Sequence, residues 1–277
     1  MKTEQTIIAT LSENYRTIHD HKMTCAVCGN NLIVEQIQVI SDALATEWDI
    51  DQKIRVAFDY REGCFCRYCL SSVRIRNLAA TLIETLNIKY KLKYCSIADL
   101  SGEPSIWNLQ IAEINHCQTL HRYLALLHHL SYSEYQSLDP LVPSEDLTAL
   151  SYADDSFDVV LMTDVLEHVP EYTKGLDEVR RVLAPEGLFL TTVPILTNRY
   201  TRTRAKKMYN GEINHLLTPS YHGDPNLRAK DMLVFHEFGI DFIDELTSRF
   251  QTRIYSVDAN YGLVVSVFVC KKKGKDE

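Results

Sequence analysis

The chain predicts an α/β fold: a mostly parallel sheet with an antiparallel hairpin at its C-terminal end, preceded by a small cysteine-rich module. Three observations carry this. Phe157 to Thr163 (FDVVLMT) and Leu188 to Val193 (LFLTTV) are short apolar runs rich in β-branched residues, the pattern of parallel strands buried on both faces. Between them Leu176, Val179, Val182 and Leu183 recur at helical spacing, while Asp177, Glu178, Arg180 and Arg181 fill the other face. Near the end, Leu263 to Cys270 contains the continuous run VVSVFVC, which reads as one strand of a terminal hairpin with Ile254 to Asp258.

The two central strands and their helix make a βαβ unit, whose crossover is almost always right-handed. Ala184, Pro185, Glu186 and Gly187 are expected to stop the helix and turn the chain into the second strand. In open sheets of this kind ligands bind beyond the carboxyl ends of the strands, at the switch point. That puts Thr163, Asp164 and the loop before the first strand at a site. Upstream, Ser105 to Glu113 is expected to be a strand, followed by a loop from Ile114 to Gln118. Thr119 to Leu130 then reads as a helix carrying Leu120, Leu124 and Leu127, and Leu130 to Tyr135 as a second strand ending in Glu134. Asp154 and Asp158 read as turn residues.

The segment Glu145 to Pro194 resembles the middle of a class I S-adenosylmethionine-dependent methyltransferase of the type 11-like group. The resemblance is carried by Asp146, Leu147, Leu150, Tyr152, Asp154, Ser156, Phe157 and Asp158, then by Asp164 to Val169 (DVLEHV), then by Arg181, Leu183, Pro185 and Gly187. It implies a Rossmann-like sheet, S-adenosylmethionine as cofactor, and a methyl acceptor as second substrate. It further implies that Asp146 accepts from the adenine amino group and the Leu147 N–H meets a ring nitrogen. Glu134 would grip the ribose hydroxyls, and the Thr163 carbonyl and Asp164 would hold the methionine half. Glu113 is either the analogue of the first-loop acid or a capping carboxylate. The family's glycine-rich loop is missing: Ile114, Asn115, His116, Cys117 and Gln118 include no glycine, so the loop must have a different shape. The ending Ser133-Glu134-Tyr135 is similar to that of a subset of these enzymes that also replaces the glycine loop.

Five of the eight cysteines precede residue 70. Cys25-Ala-Val-Cys28 and Cys66-Arg-Tyr-Cys69 each present two thiols, and two such turns complete the tetrahedral thiolate shell of a structural zinc site. Cys64 is an additional thiol that can replace Cys66 as a ligand. No histidine lies between Cys25 and Cys69, which argues against a catalytic zinc.

Residues 1–95 are expected to hold an amphipathic helix from Thr6 to Ile18, the cysteine-rich zinc-binding module from Met23 to Ser72, and a linking helix from Val73 to Leu86. Residues 96–277 are expected to form the methyltransferase-like domain, with a substrate or lid insert at about 195–235. Arg74 and Arg76, at the start of the linking helix, read as exposed helix charges or as contacts to a ligand or substrate. The insert carries a basic run (Arg199, Arg202, Arg204, Lys206, Lys207), which reads as a solvated helix face or as a patch for an anionic acceptor. It also carries Tyr221, His222, Gly223, Asp224 and Pro225, a cluster similar to one in related sequences. His222 is a candidate base because an imidazole titrates near neutrality, and Tyr221 and Asp224 are candidate substrate contacts. His168 is a second candidate base or a packing residue beneath the cofactor.

A formal charge of −8 argues against a nucleic-acid surface over the whole molecule. No stretch reaches the eighteen or so apolar residues of a membrane span. The sequence is therefore expected to encode a cytoplasmic methyltransferase acting on an unidentified small molecule or glycan. The alternative is a catalytically inactive scaffold that keeps the fold.

Overall fold

A computed structural model describes residues 15–17, 24–221, 233–256 and 259–273. The strands in chain order are β1 (Tyr15–Thr17), β2 (Val34–Gln36), β3 (Cys64–Cys66), β4 (Ile111–Ile114), β5 (Leu130–Ser133), β6 (Phe157–Thr163), β7 (Leu183–Thr192), β8 (Ile195–Leu196), β9 (Arg202–Thr203), β10 (Ala205–Lys207), β11 (Ile213–His215), β12 (His236–Gly239), β13 (Phe250–Ser256) and β14 (Val267–Lys272). The helices are α1 (Asp42–Glu47), α2 (Gln52–Gly63), α3 (Val73–Tyr90), α4 (Ile97–Leu100), α5 (His121–Leu124), α6 (Tyr172–Val182) and α7 (Phe242–Arg249).

The central sheet has the order β1-β13-β14-β7-β6-β4-β5. Strands β5, β4, β6 and β7 pair in parallel, β14 runs antiparallel to both β7 and β13, and β1 lies parallel to β13 at the edge. This mixed, mostly parallel sheet with an antiparallel C-terminal hairpin fits a Rossmann-like methyltransferase fold. The chain leaves β4 for β5 on one side and returns to β6 on the other, so the switch point lies between β4 and β6.

Strand β6 shows why its sequence is apolar throughout. Val160 and Met162 face a core shared with Leu176 and Val179 of α6 and Phe242 of α7. Val159 and Leu161 face the opposite core, shared with Ile75, Leu78 and Leu82 of α3. Both faces are covered, which removes the polar alternation of a one-sided strand. The second core also takes in Cys25, Cys66 and Cys69, so the cysteine turns pack on the sheet's own hydrophobic layer.

Several sequence expectations are corrected. Tyr15–Thr17 is a strand rather than part of a helix; the remainder of the expected Thr6 to Ile18 helix lies outside the described residues. The strand expected over Ser105 to Glu113 is confined to Ile111–Ile114, because Pro104–Ile106 forms a single 3-10 turn capped by Glu103. The helix expected over Thr119 to Leu130 shrinks to Gln118–Leu120 and α5. Ala184 to Gly187 is a bulge inside β7, not a turn before it: pairing with β6 jumps from Phe157↔Leu183 to Val159↔Leu188. Glu186 takes the left-handed φ of 65° there, and a Cβ on Gly187 would come within 2.8 Å of the Ala184 carbonyl oxygen. Among the described residues no helix is long and apolar enough to cross a membrane.

Candidate functional site

The two Cys-x2-Cys turns have the same local geometry. The Gly29 N–H donates to the Cys25 carbonyl at 2.9 Å, and the Leu70 N–H donates to the Cys66 carbonyl at 2.8 Å. Both Gly29 and Leu70 are left-handed, at φ 75° and 63°. Each turn thus points its two thiols to one side, and the β2–β3 pairing brings the turns together. The sulfurs of Cys25, Cys28, Cys66 and Cys69 all lie within 4.8 Å of one another, and those of Cys25 and Cys69 are 3.7 Å apart. Tetrahedral zinc with ordinary Zn–S bonds requires S···S separations of about 3.8 Å, so the donor set fits. Cys64 is not in this group; it lies beside Arg76, which corrects the expectation that it can replace Cys66.

The carboxyl end of β6 holds a network of charges from distant parts of the chain. Arg61 of α2 forms a two-pronged pair with Asp164, at 2.7 and 2.6 Å, and also touches Glu62. Arg74, in the first turn of α3, donates to Glu62 at 2.8 and 3.0 Å and to the Thr163 hydroxyl at 2.6 Å. Thr192 at the end of β7 donates to Asp164 at 2.8 Å. Arg74 and Arg76 are therefore buried, not exposed as their helix position suggests. Arg76 instead fastens the second cysteine turn, donating to the Ser71 carbonyl at 2.6 Å.

Burial by itself would raise the Asp164 pKa, but the guanidinium groups of Arg61 and Arg74 and the hydrogen bonds outweigh it and hold Asp164 well below the usual carboxylate range. Glu167 is shifted the other way. Burial and the neighbouring Asp164 charge push it well above its ordinary value. Arg61, Glu62 and Glu167 were not singled out by the sequence reading. The signal for Arg61 was present: with Ile54, Ala57 and Phe58 it shares the buried stripe of α2 at helical spacing.

The glycine-free loop after β4 is closed by its own acid. Glu113 is fully buried; one oxygen accepts the Cys117 N–H at 2.7 Å and the other meets His121 Nδ1 at 2.6 Å. Asn115 and Gln118 take the left-handed conformations that a glycine would otherwise supply, with φ of 57° and 50°. The Asn115 side chain accepts the Tyr135 N–H at 2.9 Å, clasping the loop to the end of β5. Glu134 follows β5, half-buried, and accepts from the Tyr132 hydroxyl. Asp146 is exposed and caps its own turn through the Thr148 N–H at 2.8 Å, whereas Leu147 is buried against Gly175 of α6. Asp154 lies in the turn before β6, as expected, and pairs with Arg181; Asp158 is not a turn residue but the second residue of β6, where its carboxylate accepts the Gln110 N–H.

The hydrogen bond to Glu113 raises the His121 pKa, while burial opposes it. A raised histidine value means that this contact stabilises the loop fully below about pH 6.5 and that the contribution fades as pH rises through the folded value. Hydrogen-exchange protection factors at the Cys117 amide are expected to fall as pH rises above about 6.5 in the wild type and to be flat in Glu113→Gln. A flat wild-type profile would refute the coupling.

In the insert, Arg202 and Arg204 lie in or beside β9 and both pair with Glu237 of β12, so they are neither a helix face nor free for an anion. Lys206 and Lys207 of β10 are exposed. His168 is mostly buried, and its Nδ1 is tied to the Leu233 carbonyl at 3.0 Å. Burial lowers its pKa. Tyr221 is half-exposed and bridges to Leu233, while His222 and Asp224 lie outside the described residues.

Residues 124–191 match a family model described as a methyltransferase domain. No curated protein matches the chain. Among solved structures, the chain is similar to an S-adenosylmethionine-dependent methyltransferase from Mesorhizobium loti at 15% identity, covering 62% of this chain and 94% of the other, with a TM-score of 0.37. It is also similar to 1,6-didemethyltoxoflavin-N1-methyltransferase of Burkholderia thailandensis, at 13% identity over 73% of this chain and 88% of the other, with a TM-score of 0.40.

Proposed function

We propose that this protein is an S-adenosylmethionine-dependent methyltransferase acting on an unidentified small molecule or glycan, and that Cys25, Cys28, Cys66 and Cys69 hold one structural zinc ion. The observation that carries the first reading is the set of acceptor side chains ringing the switch point: Glu134 after β5, Asp146 after the following loop, and Asp164 after β6. The methyltransferase match over 124–191 spans all three. S-adenosylmethionine offers a sulfonium-activated methyl group together with an ammonium, a ribose diol and an adenine amino group, so its pocket needs acceptors.

In this reading Asp146 and the Leu147 N–H receive the adenine, Glu134 the ribose hydroxyls, and Thr163 and Asp164 the methionine half. Glu113 shapes the loop beneath them through Cys117 and His121. His222 takes the proton from an oxygen or nitrogen nucleophile, with Tyr221 and Asp224 orienting the acceptor. His168, tied to Leu233, positions the insert against the end of β6. The zinc ion supplies no chemistry to the reaction; it locks the two cysteine turns against α3 and α4.

Calorimetry with S-adenosylmethionine and S-adenosylhomocysteine tests the cofactor reading. Binding of both is expected, and Asp146→Ala should weaken it about tenfold by removing one hydrogen bond to the adenine, on the order of 1.4 kcal/mol. No binding of either compound at millimolar concentration would sink the reading.

A further inference from the structure

The second cysteine turn is also the joint between two helices. Residues 64–72 are the whole connection between α2 and α3, and the ends of those helices that face the joint carry Arg61 and Glu62 on one side and Arg74 on the other. Ser71 sits within that joint, fully buried. Its hydroxyl lies 3.0 Å from the Cys69 sulfur and 3.6 Å from that of Cys25, so it touches both cysteine turns. Its carbonyl accepts the Cys66 N–H at 2.9 Å and the Arg76 guanidinium at 2.6 Å. Ser72 follows as the N-cap of α3, and Arg74 stands in the first turn that it caps. The four-thiol cluster thus reaches Arg74, and through it Glu62 and the Thr163 hydroxyl, by contiguous contacts.

The turn lacks a restraint of its own. Leu70 keeps a left-handed φ of 63° although it is 64% exposed, so packing does not impose that conformation. The equivalent position of the first turn is Gly29, a residue that adopts it freely. A cation shared by the four sulfurs supplies what is missing. It also suits Arg76, which is 4% exposed and, among the described residues, meets carbonyls and the Cys64 sulfur but no carboxylate. A divalent ion held by four thiolates carries a net negative charge on the far side of Ser71.

We infer that metal binding at the four thiols and cofactor binding at the end of β6 are coupled, with Arg76 as the positioning residue that carries the coupling. The inference rests on the S-adenosylmethionine and zinc readings above. With the metal bound, the turn fixes Ser71, Ser71 and Arg76 fix the first turn of α3, and Arg74 stays beside Thr163 and Glu62. Without it, Leu70 leaves the left-handed region, the Ser71 carbonyl moves off Arg76, and the charges around Asp164 lose their register. Linkage makes the effect reciprocal: each ligand tightens binding of the other by the same factor.

The full chain is titrated calorimetrically with S-adenosylhomocysteine, once with one equivalent of zinc and once after chelation. The zinc-loaded protein should bind at least about tenfold more tightly. Saturating S-adenosylhomocysteine should raise the zinc affinity, read by competition with a chromophoric chelator, by the same factor. Arg76→Met should keep its zinc yet bind S-adenosylhomocysteine as weakly as the zinc-free wild type. Equal affinity of the folded wild type with and without zinc overturns the coupling. Should the zinc-free protein fail to fold, the zinc-loaded Arg76→Met variant decides: wild-type affinity overturns the coupling, and about tenfold weaker binding supports it. Should Arg76→Met be the one that fails to fold, the wild-type comparison decides. No binding of S-adenosylhomocysteine by the zinc-loaded protein overturns the cofactor reading, and a chain that takes up no zinc overturns the metal reading; either result removes the coupling with it.

Discussion

The double substitution Cys25→Ser, Cys69→Ser is expected to lower bound zinc from about one equivalent per chain to near zero and to reduce the melting temperature by on the order of 10 °C. The two residues come from different turns, so each turn loses a thiolate and a serine hydroxyl is a poor substitute. Structural zinc contributes its binding free energy directly to folding. The effect should spread beyond the turns, because Cys25 and Cys69 lie in the core that α3 shares with β4, β6 and β7. The first cysteine turn also accepts from α4, through Ile97 N–H to the Ala26 carbonyl at 2.8 Å. Elemental analysis and thermal unfolding read the two effects; unchanged zinc content in the variant would refute the ligand assignment. The Cys64→Ser variant serves as the control and should keep its zinc.

Asp164→Ala is expected to destabilise the protein by about 3 kcal/mol, because it strips the two-pronged partner from a guanidinium that is almost wholly buried. Glu62 remains beside Arg61, which places the cost at the lower end for a broken buried pair. Adding Arg61→Met to Asp164→Ala should restore most of the loss, since the buried charge goes with its partner. Denaturant unfolding of the two single variants and the double variant closes the cycle. A double variant less stable than Asp164→Ala would show that the penalty is not one of unpaired charge. Acid should act in the same direction: with its pKa held below the ordinary value, Asp164 contributes stability above about pH 4 that is lost as pH falls towards the folded value.

The central βαβ unit was legible because its information is local. FDVVLMT became β6 with the bounds expected, and the Leu176, Val179, Val182 periodicity became the buried face of α6. Elements whose form depends on neighbours were less legible. The 105–113 segment has enough apolar residues for a strand, yet Pro104 and the Glu103 cap favour a 3-10 turn, and strand pairing starts only where β5 and β6 are available. The bulge in β7 reads as a turn in sequence, because proline and glycine punctuate both.

For the site, the cysteine spacing announced the four-thiol cluster, while the choice of Cys66 over Cys64 required the fold. Along β3 the two side chains alternate with Phe65, and only the second begins the turn that faces Cys25. The burial of Arg74 was not readable from α3 alone, whose first turn looks solvent-facing until α2 and β6 are placed around it.

What the sequence by itself determined is the pattern of strands and helices around β6 and β7 and the pairing of the two cysteine turns, because hydrophobic period and turn chemistry act over a few residues. What only the tertiary structure decided is which charges meet. Arg61 and Asp164 are separated by a hundred and three positions, and neither side chain carries a local sign of the other. Their pairing follows from where α2 docks against the end of β6, and the cost of burying a charge is what makes that docking specific.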